Sequence, residues 1–157
     1  MFWISYAVIV GPPTFAVPGH QMKKRHVQAV RDLGLVKPGE EIRYFYSDAL
    51  TDIKGGMYLV TDSAMVMYCD EWEKPDRVIP FSEIKGADAV FSDTWIEDSY
   101  ITLTLHNGEE IGFPVSRERK GDKNFLEFIR GRIEAQSKAA EPAPAPADTN
   151  AAPHSAP

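Results

Sequence analysis

The stretch Gly56-Met57-Tyr58-Leu59-Val60-Thr61-Asp62-Ser63-Ala64-Met65-Val66-Met67-Tyr68 decides how the chain is read. Two short runs of apolar, aromatic and β-branched side chains flank Thr61-Asp62-Ser63-Ala64, a group of turn formers, so they read as paired strands rather than one helix. The same punctuation continues on both sides. Upstream, Glu41 to Tyr46 sets Ile42, Tyr44 and Tyr46 on one face and Arg43, Phe45 and Ser47 on the other, and Gly55-Gly56 ends the next connection. Downstream, the polar stretch Asp70 to Asp76 leads to a short strand over Val78 to Phe81, where Pro80 cannot donate to a ladder and implies an edge position. Glu83 to Asp93 carries Ile84, Ala87, Ala89 and Phe91. Tyr100 to Leu105 alternates, with Ile101, Leu103 and Leu105 on one face and Thr102, Thr104 and His106 on the other. Asn107-Gly108 then predicts a type I′ hairpin turn before Glu110 to Val115. The expected class is mainly β, with seven strands.

The last element is helical. Phe125, Phe128, Ile129 and Ile133 recur at three and four residues, Lys123, Glu127, Arg130 and Glu134 lie outside that stripe, and Asp122 is the expected N-cap. An apolar stripe must cover something, and seven strands leave an open corner for it. Residues 20–33 read as a shorter helix, with Met22, Val27, Val30 and Leu33 on one side and Gly34 as its stop.

Residues 39–136 resemble a bacterial pleckstrin-homology-like, or GRAM-like, domain. The resemblance is carried by Gly39-Glu40-Glu41 opening the first strand, by the quoted strand, Thr-Asp turn and strand, by Val78-Ile79-Pro80-Phe81-Ser82-Glu83-Ile84, by the Asn107-Gly108 hairpin and by the closing helix. It implies a bent seven-stranded sheet, or partly open barrel, capped by a C-terminal α-helix and used for binding without catalysis. Phosphoinositide-binding members place several basic residues around the first hairpin loop. The matching stretch here, residues 47–56, holds Asp48 and Asp52 and only Lys54, so specific phosphoinositide recognition is not expected.

Composition agrees with one folded domain: 157 residues, 43% hydrophobic and 25% charged. The expected division is an apolar membrane anchor or arm over residues 1–19, a basic helix and linker over 20–36, the pleckstrin-homology-like domain over 37–138, and a disordered Ala/Pro tail over 139–157. The net charge of −6 is uneven. Residues 34–116 hold 6 basic against 16 acidic side chains, which disfavours nucleic acid, whose binding depends on phosphate neutralisation. The single cysteine, Cys69, excludes an internal disulfide and favours a reducing compartment.

Residues 1–18 are uncharged, and the first cations, Lys23, Lys24 and Arg25, come after the apolar run. A secretory signal has the opposite order. The positive-inside bias places the chain beyond His20 in the cytoplasm, on the inner membrane, with a transmembrane helix or interfacial anchor helped by Trp3 and Tyr6. Pro12 and Pro13 and the short length oppose a full span. Two readings therefore stand side by side: a membrane tether touching lipid through Trp3, Tyr6, Lys23, Lys24 and Arg25, or a soluble cytoplasmic domain whose N-terminus is part of the core.

No nucleotide-binding, nucleophile-elbow or zinc-protease motif occurs, the four histidines are far apart, and the acidic pairs fall in loops or on opposite strand faces. No catalytic, cofactor or metal residue is assigned, so an enzyme is the least supported reading. The loops are more informative. Trp72 sits between Glu71 and Glu73, and Trp95 precedes Glu97 and Asp98, so these six residues are candidate contacts for a protein partner, a basic one by charge complementarity.

Overall fold

The computed structural model describes residues 11–142. A two-residue strand β1 (Val17–Pro18) leads through a helical turn to α1 (Lys24–Asp32). Then come β2 (Ile42–Tyr46), β3 (Met57–Thr61), β4 (Ala64–Tyr68), β5 (Asp76–Pro80), β6 (Ile84–Val90), β7 (Ser99–Leu105), β8 (Glu110–Val115) and α2 (Gly121–Ala140). The strands form two antiparallel sheets, β1-β2-β3-β4-β5 and β6-β7-β8, that do not close into a barrel. The seven expected strands are all present. Val17 and Pro18 add an eighth by pairing with Phe45 and Tyr44.

The first sheet is buried on both faces, which explains why the sequence of β3 and β4 is apolar at successive positions and not at alternate ones. Its inner face, with Tyr46, Tyr58, Val60, Met65, Met67 and Ile79, packs against the second sheet and against Phe125, Leu126 and Ile129 of α2. Its outer face, with Phe45, Met57, Leu59 and Val66, packs against Val17, Met22, Val30, Leu35 and Val36. An isolated nine-residue helix such as α1 is not stable in water, so this docking is what holds it. Each of those side chains contributes about 1.5 to 3 kcal/mol by leaving water, which exceeds anything the surface pair Arg43–Asp62 at 2.9 Å can add at about 0 to 1 kcal/mol. The apolar N-terminal stretch is thereby divided. Ala16 and Val17 belong to the core, while Trp3 and Tyr6 lie outside the described residues. Among the described residues no helix is long and apolar enough to cross a membrane.

Three local expectations change. Ile42 does not share a face with Tyr44 and Tyr46, because the β2–β3 register shifts between Ile42 and Tyr44, and such a bulge turns Ile42 to the α1 side. The Asn107-Gly108 hairpin is not type I′. Leu105 accepts from the Gly108 N–H and donates to Glu109, and Gly108 alone has positive φ, at 86°, which defines a three-residue loop with a bulge. Asp122 is not the N-cap. Gly121, whose Cβ would lie 2.9 Å from the Ala16 side chain, lets α2 begin one residue earlier, and the buried Asp122 carboxylate accepts from Ser99 Oγ at 2.5 Å, fastening α2 to β7.

His26 reports on the outer layer. It is buried on α1 and stacks on Phe45 at 6.1 Å, and desolvation, then Arg25 and Lys23, lower its pKa below 6.5 against an opposing pull from Asp52. The folded chain therefore favours neutral His26, and the unfolded chain takes up a proton first as pH falls. Stability is full above pH 6.5 and declines as pH drops through the lower folded value. Denaturant unfolding from about pH 8 to about pH 5 should show this decline, and His26→Leu should remove much of it. A slope identical in both proteins would contradict the assignment.

Candidate functional site

Tyrosines at the end of β2 and the start of β3 organise one end of the molecule. Tyr46 donates its hydroxyl to Asp98 Oδ2 at 2.5 Å, and Tyr58 donates to Asp48 Oδ2 at 3.3 Å. Their rings stack at 6.4 Å, and Tyr58 stacks in turn on Phe113 at 5.5 Å. Burial first, then the neighbouring carboxylates, push both phenols well above the ordinary tyrosine range, and burial also raises Asp48. A Cβ on Gly56 would come within 2.1 Å of Asp48 Oδ1 and would displace that carboxylate. Ser47 Oγ donates to the Gly56 carbonyl at 2.6 Å, the buried Cys69 thiol to the Gly55 carbonyl at 3.2 Å, and the Asp70 N–H to Lys54 at 2.9 Å. The connections 47–56, 69–75 and 91–98 thus meet at this end. It presents phenols and carboxylates already bonded to each other. Among the described residues no group of three or more side chains is placed to hold a metal ion.

Trp95 stands at the tip of the β6–β7 connection, whose turns are tied by Ser92 Oγ to Thr94 and by Ser99 Oγ accepting from the Ser92 N–H at 3.0 Å. It is 88% exposed and Ile96 is 77% exposed. Both line a hollow of about 850 Å³ with Thr14, Asp98, Arg117 and Arg119. The N-terminal arm forms one wall of it. Thr14 donates to Glu118 Oε2 at 3.1 Å, and the Arg119 guanidinium lies 4.0 Å over the Phe15 ring. Arg119 and Lys120 have φ of 56° and 60°, a left-handed pair costing about 1 to 3 kcal/mol per residue that persists only where its surroundings hold it. Upstream, Gly11 passes against the carbonyl of Leu50, a residue 92% exposed in the 47–56 connection. Lys23 caps α1, and Lys24 and Arg25 begin it.

Trp72, in the 69–75 connection, faces a different hollow. It is 40% exposed and walls a groove of about 560 Å³ with Met67, Lys74, Asp76, Arg77, Ile111 and Gly112. This groove and the Trp95 hollow share no lining residue. The structure therefore sets Trp72 with exposed Glu71 and Glu73 at one site, and Trp95 with Glu97 and Asp98 at another. Asp98 is engaged by Tyr46 and is not a free surface charge. Leu50 and Ile96 carry the same signal as the tryptophans, a large apolar side chain in a polar loop, and only ring size drew attention to the latter.

No known family's sequence profile matches the chain, and no curated protein matches it. Its fold does match solved structures. One is a DUF1696 family protein with a pleckstrin-homology domain from Shewanella loihica, with a TM-score of 0.54 and 11% identity over 77% of this chain and 99% of that one. Another is a PH domain containing bacterial protein from Exiguobacterium sibiricum, with a TM-score of 0.54 and 16% identity over 74% of this chain and 63% of that one. The fold is that of a bacterial pleckstrin-homology-like domain, with two sheets and a C-terminal helix.

The 47–56 connection carries Asp48 beneath Tyr58 and a single lysine, which gives a polyphosphate little to hold. Calorimetric titration of the full chain with inositol hexakisphosphate should show no saturable binding at physiological salt. A micromolar complex lost on Lys54→Ala would contradict this reading.

Proposed function

We propose that the protein is a non-catalytic binding or scaffolding module held at the cytoplasmic face of the inner membrane by its apolar N-terminal segment, and that it receives a protein partner on a separate acidic surface. The observation behind the membrane half is the exposure of Leu50, Trp95 and Ile96, the first two about nine-tenths exposed, with Gly11 passing against Leu50 and Thr14 lining the hollow of Trp95 and Ile96. Exposed apolar side chains near the N-terminal arm suit an interfacial contact. Ala16 and Val17 are committed to the core, so the tether is assigned to the chain ahead of Thr14.

Magnitudes settle which force leads. Each cation near an anionic surface contributes about 1 kcal/mol, but the acids of this end, among them Asp48, Asp52, Asp93 and Glu97, offset Lys23, Lys24, Arg25, Arg117 and Arg119. Apolar insertion at about 1.5 to 3 kcal/mol per fully buried side chain therefore dominates, and binding should depend weakly on salt.

Co-sedimentation of the full chain with phosphatidylethanolamine and phosphatidylglycerol vesicles is the test. Wild type should partition to the pellet, and the Leu50→Glu, Trp95→Glu, Ile96→Glu triple variant should lose at least about tenfold in partitioning, equivalent to about 1.4 kcal/mol. Equal partitioning of the two proteins, or of the chain lacking residues 1–10, would remove the membrane half of the proposal.

A further inference from the structure

The free edges of the two sheets come together at the Trp72 groove. β5 is one outer strand of the first sheet and β8 one outer strand of the second, and among the described residues neither pairs with a further strand. The register fixes which backbone groups are left. Leu105 donates to Glu109, so in an antiparallel ladder Leu103/Ile111 and Ile101/Phe113 are also bonded pairs, while Thr102/Gly112 and Tyr100/Pro114 are not. Pro114, which has no N–H, fits that alternation. The N–H and C=O of Glu110 and Gly112 therefore point away from β7, along the open edge. On β5 the Cys69–Pro75 and Phe81–Ser63 bonds give the same result: the groups of Asp76 and Val78 point outward.

Between these rows lies the groove. Its floor is Met67 and Ile111, both buried members of the core, and its wall is Trp72. The Tyr100 ring fills the space where a Gly112 side chain would stand, so the approach to Gly112 is along its backbone edge, and Arg77 reaches across to Glu109 at 2.6 Å at one end. Lys74, Asp76 and Arg77 line it, Arg77 is already engaged by Glu109, and the exposed acids Glu71, Glu73 and Glu110 adjoin Trp72 and Ile111 in the chain.

We infer that this groove takes an extended basic segment of a partner protein by strand addition. The segment pairs its backbone with Glu110 and Gly112 on the edge of β8, sets alternate apolar side chains over Met67, Ile111 and Trp72, and presents Lys or Arg to Asp76, Glu110 and the Glu71–Glu73 loop. A second copy of this chain is the wrong occupant, because edge-to-edge pairing of two β8 strands would bring Glu109 and Glu110 against the same acids. The inference deepens the protein-binding half of the proposed function and stands apart from the membrane half.

The probe is a seven-residue blocked peptide alternating lysine and valine, titrated into the full chain and followed by amide NMR. The Gly112 and Glu110 amides should shift and gain exchange protection. Replacing lysine by glutamate in the peptide should weaken binding at least tenfold, as should the Asp76→Lys, Glu110→Lys double variant. One of two peptides, methylated on the valine or on the lysine nitrogens, should lose binding. An unchanged melting temperature keeps the double variant interpretable, and Trp72→Ala provides a second, milder loss. Absence of binding, equal affinity of lysine and glutamate peptides, tolerance of both methylations, shifts centred on Trp95, or a concentration-dependent dimer abolished by the double variant would each overturn the inference. A chain that binds vesicles but not the peptide loses only this docking mode, and one that binds the peptide but not vesicles loses only the tether.

Discussion

Burying β3 and β4 on both faces constrains everything else in this molecule. A strand with no polar face must be covered twice, once by the second sheet and α2 and once by α1 with the segments on either side of it. This requirement explains why the chain ahead of β2 is structural. Val17 pairs with Phe45 and its side chain enters the outer cluster. Gly19 lies where a Cβ would meet the Ile42 carbonyl at 1.6 Å, so the arm can approach the sheet only through a glycine. The arm is held from the other side by the turn that opens α2, through Phe15 under Arg119 and Thr14 on Glu118.

The surfaces proposed for contact are parts that this arrangement leaves over. With α1 on one side and α2 on the other, the regions left uncovered include, among the described residues, the end where the connections gather and the corner where β5 and β8 face each other. Tyr46 and Tyr58 close the first with bonds to Asp98 and Asp48, so the acids there are largely used in holding loops. The loop tips project beyond them, and they are apolar. The second stays open, with unpaired backbone and an acidic rim. Two different chemistries thus come from two different leftovers of one packing problem.

Much of the fold is legible in residue order because turn residues separate runs of matching period. The hairpin around Thr61-Asp62, the edge placement of Pro80 and the stripe of α2 all come from it. The features that escape are set by long-range packing. The bulge between Ile42 and Tyr44 depends on the outer layer needing Ile42, which no window of β2 reveals. Similarly, Ile84 and Ala87 share a face only because the β6–β7 register shifts between Ile84 and Gly86. The tryptophans are visible in sequence as misplaced apolar side chains, but their separation into two sites is a property of the topology. Gly112 is invisible until the ladder register shows which way its backbone faces.

If β3 and β4 need both coverings, α1 and the first sheet must unfold as one cooperative unit, and native-state hydrogen exchange measures this without perturbing the chain. The amides of Val30 and Arg31 in α1 should exchange with the same free energy as those of Leu59 and Val66 in β3 and β4, equal to that of global unfolding. Exchange of α1 through a local opening of much lower free energy, with β3 and β4 still protected, would show that the outer layer is dispensable and would contradict the requirement for a double covering.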